Sequence, residues 1–453
     1  MDWDLPEETA AVLGHAWLDD EPWSVVTALA RLGSRLGGSP GEREAASVVA
    51  DAFERAGVRD VSVEPFPTQA WTRGDSSLEL ISAGRAFDCV ALPYSPPGAV
   101  EARVVDVGHG TPREIRDADV SGKIAVASTT TPEGSRFLHR MEKYGAAVDA
   151  GATGFVFANH VPGQLPPTGS LRFDREAEIP AVGVSAETGD WLTDAASEGG
   201  TVGLSVDART EAGESQNVVG VVGPGSGDEA GSGATTGAHG GDLLLVAHYD
   251  AHDIAEGALD NGCGVAVVVG AARALAAMGL PRRVRVAAVG CEETGLVGSE
   301  RLAEECADDV AAVVNVDGAG RFRDLVAMTH ASEETRDVAE SVEERTGNPI
   351  RVKTEPHPFS DQWPFVRRGV PALQLHSDSG ERGRGWTHTA ADTRDKVDAR
   401  TLREHAMLTA LLVQELATRD PPRLDSEELK ERFHAVDFEP GMRAAGLWPD
   451  EWD

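Results

Sequence analysis

The pattern that most constrains the fold is the alternation of apolar strands with helices from residue 242 onward. Continuous apolar runs such as LLLVAH, RVRVAAVG, AAVVNVDG and VPALQLH alternate with helical segments such as GVAVVVGAARALAAMG and TLREHAMLTALLVQELA. Strands that are apolar on both faces are typical of a parallel sheet that helices cover on both sides. We therefore predict an α/β fold, a three-layer α/β/α sandwich around a mostly parallel sheet, with residues 211–420 as its main domain.

The pattern changes upstream and downstream of this domain. Residues 1–65 contain two helical stretches, WSVVTALARL and REAASVVADAFERAG, which we assign to the same domain. Residues 66–210 contain short β-like runs separated by Gly, Pro and Asp, which predicts a smaller β-rich insert. The low-complexity stretch 223–241 predicts a surface loop. Residues 421–453 form a tail for which the sequence indicates no role.

Composition narrows the possible partners and the compartment. The net charge is −34, so the surface repels nucleic acid and anionic membranes, and we exclude both as partners. Acidic residues spread along the chain favour a solvated surface suited to high salt, and we expect a halophilic protein. The start, MDWDLPEETAAV, lacks the pattern of a signal peptide, and no apolar run comes near the ~20 residues of a membrane span. We expect a cytoplasmic protein; its oligomeric state is not indicated.

Residues that can bind metals follow the strands of the predicted sheet. Two histidines, two aspartates and a pair of glutamates stand at these strand ends or at the start of the following helix: His248, His388, Asp260, Asp317, Glu292 and Glu293. In parallel sheets the ligand site lies beyond the carboxyl ends of the strands. A single residue of this kind is usually structural. A whole set at one edge indicates a metal site, because buried carboxylates without cations are costly.

A ligand count indicates two metal ions. Histidine and carboxylate ligands suit zinc, with cobalt or manganese as alternatives. Two ions with three protein ligands each and one shared ligand need five side chains, which are His248, Asp260, Glu293, Asp317 and His388. Glu292 is then left over beside a ligand, where it can act as general base for a water molecule. Asp250, two residues after His248, can orient that imidazole from behind.

Several motifs resemble those of the co-catalytic di-zinc aminopeptidases, a family that includes aminopeptidase Y and glutamate carboxypeptidase-like peptidases. The matching stretches are HYD at 248–250, GALDNGCG at 257–264, EETGLVGSE at 292–300, NVDG at 315–318, SDQWPFVRRGVPAL at 360–373 and HTAADTRDKVD at 388–398. Their order and spacing carry the resemblance, which covers residues 216–418 well and 24–58 loosely. It implies that His248 and Asp317 hold one metal, that Glu293 and His388 hold the other, and that Asp260 bridges them.

The same resemblance implies an activity and identifies the insert. The implied enzyme is an exopeptidase, specifically an aminopeptidase that cleaves the N-terminal peptide bond through a water bridging two ions, with Glu292 as general base and proton shuttle. Residues 95–205 resemble a protease-associated domain through VSGKIAVAS, GAAVDAGATGFVFANH and IPAVGVSAETGDWL. In this family that domain commonly covers part of the active-site cleft, so it either filters substrates or serves as a spacer or assembly surface.

Three positions depart from the family pattern. Gln362 stands where relatives often have His, but it is not among the five ligands, and we expect the metals to be unaffected. Thr387 precedes His388 at a position where an aromatic residue is common in the family. The sequence therefore does not identify the side chain that would stabilise the oxyanion. His252 either contacts substrate or supports a ligand from behind. Cys263 and Cys291, which flank motif residues, are interpreted as small buried fillers.

Alternative activities on the same scaffold stay open. A carboxypeptidase or dipeptidase would need a cationic pocket, for which the candidates are Arg367, Arg368, Arg382 and Arg384. A glutaminyl cyclase would use a single zinc ion and would not hydrolyse peptides. A metal-free, receptor-like protein would have replaced ligands, whereas all five ligand positions are filled here. The preferred terminal residue of the peptide substrate is not indicated.

Overall fold

One large sheet runs through the molecule. The computed structural model describes residues 5–224, 240–380 and 385–453. The strands in these residues are β1 (Arg59–Leu80), β2 (Arg85–Phe87), β3 (Val90–Ala91), β4 (Gly98–Asp106), β5 (Ile124–Ser128), β6 (Gly154–Ala158), β7 (Ala181–Val184), β8 (Thr201–Val222), β9 (Asp242–His248), β10 (Val284–Val289), β11 (Val310–Val316), β12 (Leu325–Met328), β13 (Ile350–Lys353) and β14 (Ala372–Ser377). Their order across the sheet is β13-β12-β14-β11-β9-β10-β8-β4-β5-β6-β7-β3, with β1 paired to β2 and β8.

Helices cover both faces of the half of this sheet that runs from β13 to β8. The helices are α1 (Glu7–Trp17), α2 (Glu21–Ala30), α3 (Pro40–Arg55), α4 (Pro112–Asp117), α5 (Arg140–Asp149), α6 (Ala186–Ser197), α7 (Cys263–Ala277), α8 (Val297–Cys306), α9 (Glu333–Thr346), α10 (Trp363–Val366), α11 (Ala399–Leu416), α12 (Ser426–Ala435) and α13 (Glu439–Ala445). Leu243 and Leu245 of β9 pack into the core that contains α7 and α11. Leu244 and Val246 point to the opposite core, which contains α8 and α12. The predicted three-layer α/β/α sandwich is confirmed.

The central strands are parallel, and this brings their ends together. β9 pairs in parallel with β10 on one side and with β11 on the other, and β11 pairs in parallel with β14. The carboxyl ends of these four strands therefore lie at one edge of the sheet. Among the described strands of this half, the β12–β14, β8–β10 and β1–β8 pairs are antiparallel, whereas four pairs are parallel, which fits a mostly parallel sheet.

Two strands of 22 residues join the insert to the rest of the sheet. β1 and β8 pair antiparallel along nearly their whole length. The end of β8 pairs with β10, whereas its beginning pairs with β4 of the insert. Accordingly, Val218 is buried in the core that contains α7 and α11, and Leu204 is buried in a core of the insert. The predicted boundaries after residues 65 and 210 fall inside these two strands, because each strand passes from one core into the other.

The C-terminal tail is part of the helical layer. Phe433, Trp448 and Trp452 are buried in the same core as Trp363 of α10. The Trp363 and Phe433 rings lie edge to face, with their centroids 5.2 Å apart. The tail therefore closes one face of the sheet, a role that the sequence did not indicate. Most of the predicted surface loop at 223–241 lies outside the described residues.

One helical stretch is as long and as apolar as a membrane span. The stretch is Ala258–Ala277, which contains α7; it is 20 residues long and apolar enough to cross a membrane. The expectation that no apolar run reaches this length was therefore wrong. Of its most apolar window, 94% is buried inside the fold. The reason is that α7 packs between the sheet and α11, and a helix with core on all sides is apolar all round.

Candidate metal centre

The predicted metal-binding residues meet at the edge where the four parallel strands end. His248 is the last residue of β9, and Asp317 directly follows β11. Glu292 and Glu293 lie in the turn after β10. His388 lies on the loop between β14 and α11, and Asp260 lies in the irregular turn Ala258–Gly262 that leads into α7. Five of these six residues reach the centre from β9, β10, β11 or β14, as the parallel pairing requires.

Asp260 stands between the two histidines. Its Oδ1 lies 3.5 Å from His248 Nε2, and its Oδ2 lies 3.3 Å from His388 Nε2. On one side, Asp317 Oδ1 is 3.8 Å from His248 Nε2. On the other side, Glu293 Oε2 is 3.4 Å from His388 Nε2. The arrangement is thus two histidine–carboxylate pairs that share one aspartate.

These separations fit metal ligation. Two donors bound about 2.0–2.1 Å from a tetrahedral zinc ion lie roughly 3.3–3.4 Å apart. The four nitrogen–oxygen distances in the centre run from 3.3 to 3.8 Å. The donor set, imidazole nitrogen with carboxylate oxygen, is one that zinc favours. The residues present therefore fit two ions without rearrangement of the fold.

Each side of the centre also gathers one further side chain. His248, Asp317 and Glu292 offer donor atoms within 4.8 Å of one another, and so do Glu293, His388 and His252. His252 was interpreted as a contact to substrate or a support for a ligand. Its Nε2 lies 3.0 Å from Glu293 Oε2, and its ring centroid lies 4.5 Å from that of His388.

Buried polar atoms without hydrogen-bond partners lie on this second side. Neither ring nitrogen of His252 is in hydrogen-bond geometry with a described group, and Glu293 Oε1 also has no such partner. His252 is 5% exposed and Glu293 is 4% exposed. Because a buried polar atom without a partner is costly, the two residues fit a site that is completed by a cation.

An arginine that the sequence analysis did not single out contacts the first side. Arg321 Nη2 donates to Asp260 Oδ1 at 2.6 Å and to Asp317 Oδ1 at 3.2 Å. Burial opposes ionisation of Asp260, but the charges of Arg321 and the two histidines outweigh it and lower the pKa of that carboxyl well below its usual range. Arg321 thus supplies positive charge to these carboxylates. It follows the NVDG motif by three residues, and that position was the available signal.

Asp250 supports both sides from behind. Its Oδ1 lies 3.4 Å from His248 Nδ1, and the two carboxylate oxygens accept hydrogen bonds from the backbone N–H groups of Glu292 and Glu293. The residue is fully buried. Asp250 therefore holds the turn that carries the two glutamates as well as flanking the histidine.

The turn that carries Asp260 is held by two further buried residues. The Asp392 carboxylate accepts from the backbone N–H of Leu259 at 2.6 Å and from that of Asp260 at 3.0 Å. Arg35 donates from Nη2 to the carbonyl of Gly257 at 3.0 Å and from Nε to the carbonyl of Tyr249 at 3.1 Å. Arg35 thereby links the Asp260 turn to the segment directly after His248.

Asp317 is held by a chain of polar side chains. Ser360 Oγ donates to Asp317 Oδ2 at 2.8 Å, and Asn315 Nδ2 donates to Ser360 Oγ at 2.8 Å. Asn315 also donates to Oε1 of Gln362 at 2.8 Å, and Gln362 Nε2 donates to the carbonyl of His357. Gln362 is therefore three hydrogen bonds away from Asp317, through Asn315 and Ser360, which is consistent with its exclusion from the ligands.

Glu42 is a further residue that the sequence analysis missed. Its Oε1 accepts from Ser215 Oγ at 2.7 Å and from the backbone N–H of Cys291 at 3.2 Å. Burial and the nearby Asp250 raise the pKa of Glu42 to about 8. The available signal was position: Glu42 stands on the buried face of α3, in line with Ala45, Ala46 and Val49. A carboxylate on the apolar stripe of a helix needs partners in the core.

The centre opens into a cleft of about 440 Å³. Its floor contains the acidic residues Asp260, Glu292, Glu293 and Asp317. Its walls come from three parts of the chain, the insert, the loop before α10 and the strands β12 to β14; these wall residues are His139, Arg140, Phe173, His357, Phe359, Phe322, Met328, Lys353 and His376. The insert thus forms part of the cleft. Thr387, which stands where relatives commonly have an aromatic residue, also lines the cleft. All three tyrosines of the chain, Tyr94, Tyr144 and Tyr249, are fully buried.

The electrostatics of the cleft favour cations. Burial raises the pKa of the Glu292 carboxyl well above its usual range; His248 opposes this shift, and Glu293 and Asp317 add to it. Burial disfavours the charged form of His248, but the surrounding carboxylates outweigh burial and raise the pKa of that imidazole well above its usual range. Bound cations would act on both groups in the opposite direction, because they favour carboxylate and neutral imidazole.

Two of the four arginines considered for a carboxylate-binding pocket lie away from this cleft. Arg367 and Arg368 each donate to Glu300 Oε1 at 2.5 Å, on the face that carries α8 and α10. Neither lines the cleft. Arg382 and Arg384 lie outside the described residues. Cys263 and Cys291, predicted to be buried, are both fully buried.

Comparison with known families accounts for both halves of the chain. The model of the family described as Peptidase family M28 matches residues 233–413, and the model described as PA domain matches residues 84–192. The first range includes the six residues of the centre that follow the strands or precede α7. The second range coincides with most of the insert.

Two characterised relatives are aminopeptidases by name. Aminopeptidase YwaD of Bacillus subtilis (strain 168) is 25% identical over 419 residues, which cover 88% of this chain and 85% of that protein. Leucine aminopeptidase 2 of Trichophyton rubrum is 27% identical over 269 residues, which cover 59% of this chain and 50% of that protein. The chain thus spans about half the length of the fungal relative.

Two solved structures share the fold. The zinc aminopeptidase BSAP from Bacillus subtilis superposes with a TM-score of 0.68 at 24% identity, covering 91% of this chain and 98% of that one. The Peptidase M28 precursor from Shewanella amazonensis SB2B superposes with a TM-score of 0.75 at 21% identity, covering 92% and 98% of the two chains. At these identities the likeness establishes the fold alone. By the family matches, residues 233–413 resemble peptidase family M28, and the insert before them resembles a PA domain over residues 84–192.

Proposed function

We propose that this chain is a metal-dependent aminopeptidase that holds two divalent ions, with zinc as the expected metal. The observation that carries the proposal is the position of Asp260, whose two carboxylate oxygens face His248 on one side and His388 on the other. A carboxylate placed in this way suits a bridge between two ions. The names of the two characterised relatives support the aminopeptidase activity.

The ligand assignment follows the two sides of the centre. His248 and Asp317 would hold one ion, Glu293 and His388 would hold the other, and Asp260 would contact both. His252 is a further donor on the second side because of its short distance to Glu293. When bound, zinc ions polarise a carbonyl group and lower the pKa of a water molecule.

Glu292 is the residue that moves the proton. It offers a carboxylate oxygen within 4.8 Å of donor atoms of His248 and Asp317, at the floor of the cleft, and is not needed as a ligand. In the proposed mechanism one Glu292 oxygen accepts a proton from the attacking water and later delivers it to the leaving amine. The backbone N–H of Glu292 is fixed by Asp250, so the carboxylate stays directed at the cleft.

The lining of the cleft carries both signs of charge. The four acidic residues on its floor are already assigned as proposed ligands or as the general base, and the cationic Arg140, Arg321 and Lys353 line the cleft beside them. Two of the four arginines considered for a carboxypeptidase, Arg367 and Arg368, are paired with Glu300 outside the cleft. The names of the two relatives are therefore the support for an aminopeptidase over a carboxypeptidase.

A smaller cavity beside the centre suits an apolar terminal side chain. It has a volume of about 190 Å³ and adjoins the cleft at Thr387 and His388. Its other walls include Phe137, Leu138 and Phe157 of the insert. Because burial of apolar surface is favourable, we expect peptides with a large apolar N-terminal residue to be preferred.

The decisive assay compares peptides blocked at one end. An aminopeptidase cleaves a C-blocked peptide with a free amine and leaves the N-blocked peptide intact, whereas a carboxypeptidase shows the reverse.

Metal analysis of the same preparation, made at high salt because of the acidic surface, should give near two ions per chain. One ion per chain without hydrolysis would instead indicate a glutaminyl cyclase. The absence of bound metal after addition of zinc would contradict the proposal. A halophilic, cytoplasmic protein stays a prediction from the sequence.

A further inference from the structure

We infer that the loop 167–174 of the PA domain is a positioning element of the metal centre, which holds the two ligands of one side in place. This inference rests on the proposed function, because it concerns ligands of the proposed ions. In this arrangement the insert completes the metal centre rather than serving only as a cover or spacer.

The first contact is between the loop and His388. The backbone N–H of Thr168 donates to the carbonyl of His388 at 2.8 Å, and His388 Nδ1 lies 3.3 Å from the carbonyl of Thr168. A backbone carbonyl can only accept, so this contact places the ring proton on Nδ1. The lone pair of Nε2 then faces Asp260 and Glu293, the orientation that a metal-binding histidine needs.

The second contact is between the loop and the glutamate turn. Ser170, which is fully buried, donates from Oγ to the carbonyl of Glu293 at 2.6 Å. The backbone N–H of Asp174 donates to the carbonyl of Thr294 at 2.8 Å. The loop therefore fixes two successive peptide groups of the turn that carries Glu293.

The loop is itself anchored to the long strand β1 and to α5. Asp174 Oδ1 accepts from Thr68 Oγ1 at 2.8 Å and from the backbone N–H of Gln69 at 2.6 Å. Arg140 Nε donates to the carbonyl of Ser170 at 2.7 Å. Displacement of the loop in either direction would therefore break contacts within the insert as well as contacts to the ligands.

The other side of the centre is held differently. Among the described residues, the contacts given above for His248 and Asp317 come from Asp250, Ser360 and Arg321, all of which belong to the peptidase half. The two proposed ions are thus supported by different parts of the chain. Loosening of the loop should weaken the ion held by Glu293 and His388 and spare the ion held by His248 and Asp317.

The test is zinc binding by the full-length Ser170→Ala variant, measured by competition with a chromophoric chelator. We expect two ions in the unmodified protein, and in the variant one ion of unchanged affinity with a second bound 10–100-fold more weakly. Ser185→Ala is the matched control. Ser185 is also a buried serine of the insert, but it caps α6 by accepting from the N–H of Thr188. It should lower thermal stability and leave both affinities unchanged.

The possible outcomes separate the two proposals. Equal affinities in Ser170→Ala and the unmodified protein, or an equal loss in Ser185→Ala, would overturn the role of the loop while the proposed function stands. If the unmodified protein binds no zinc, the proposed function itself fails. If Ser170→Ala does not fold, Asp174→Asn provides the same test, because it weakens the anchor to Thr68 and Gln69 without altering a ligand contact. Unchanged zinc affinities in that variant would likewise overturn the inference.

Discussion

One carboxylate oxygen of Asp250 accepts a hydrogen bond from the backbone N–H of Glu292 at 3.0 Å. The other oxygen accepts from the next N–H along the chain, that of Glu293, at 3.2 Å. A single buried aspartate therefore holds both the proposed general base and a proposed ligand. We therefore expect replacement of Glu292 to affect turnover alone, and replacement of Asp250 to affect both zinc affinity and turnover.

Replacement of Glu292 by Gln should stop turnover without removal of the metals. Glutamine keeps the shape of the side chain but cannot accept the proton, and general acid–base catalysis contributes about 10²–10⁴-fold to rate. We expect kcat to fall by at least about 100-fold, with two ions retained on metal analysis. Glu304→Gln, on the exposed part of α8, is the control and should retain full activity. Activity of Glu292→Gln within tenfold of the unmodified protein would exclude this role.

Replacement of Asp250 by Asn should weaken the metals as well as the rate. The two backbone N–H groups are bonded to different carboxylate oxygens, and asparagine replaces one of these oxygens with an NH₂ group that can only donate, so one of the two hydrogen bonds is lost in this geometry. Groups that orient metal ligands typically contribute 10–100-fold to metal affinity. We expect a loss of that order in zinc affinity, measured by chelator competition, and a lower kcat even at saturating zinc. An Asp250→Asn protein with unchanged zinc affinity but lower kcat would assign Asp250 to the support of Glu292 alone.

The proximity of the candidate ligands could be predicted from the sequence for a physical reason. Continuously apolar strands predict a parallel sheet, and the ends of parallel strands meet at one edge. His248, Glu293 and Asp317 each stand at or just after such an end, so their proximity follows from the topology. The three-layer fold could be predicted by the same argument.

The residues that support the centre could not be predicted in this way. Ser170 contacts Glu293 across 123 residues of sequence, and Arg35 contacts Tyr249 across 214. These contacts depend on how the insert and the N-terminal helices pack, which no local pattern of apolar residues specifies. The predicted boundaries of the insert fall inside β1 and β8 for a related reason. Composition changes along β1 and β8, whereas the hydrogen-bonded ladder continues through them.

Replacement of the shared ligand should affect both ions, whereas replacement of an outer ligand should affect one. Asp260 faces both histidines, and His248 lies on one side only. We expect about one zinc ion per chain in His248→Ala and less than one in Asp260→Ala, measured by mass spectrometry of dialysed protein. His15→Ala, on the exposed part of α1, should keep both ions. Two ions in Asp260→Ala would exclude a shared ligand at this position.

Truncation of Phe137 should change substrate preference. Phe137 lines the apolar cavity beside His388 and is 42% exposed, so the fold should tolerate Phe137→Ala. Loss of apolar contact should lower kcat/KM for substrates with an N-terminal leucine by roughly threefold to tenfold, and have less effect with an N-terminal alanine. Trp191→Ala, an exposed aromatic residue elsewhere in the insert, is the control. An equal change for both substrates would place the terminal side chain elsewhere.

Acid should destabilise the fold through His405, which is buried and neutral. Its Nδ1 accepts from the backbone N–H of Gly320, and its Nε2 donates to the carbonyl of Arg323. Burial lowers the pKa of His405 to about 4. In the unfolded chain a histidine titrates near 6.5, so between these values the unfolded state binds the extra proton and stability falls as the pH falls. The His405 contribution is fully present above pH 6.5 and is lost toward pH 4, with an upper limit of about 3 kcal/mol.

His405→Gln, which can keep one acceptor and one donor, should therefore show a smaller fall in thermal midpoint from pH 7.5 to pH 5 than the unmodified protein. His15→Gln is the control for loss of a histidine, and a pH dependence of His405→Gln equal to that of the control would show that His405 does not titrate in this window.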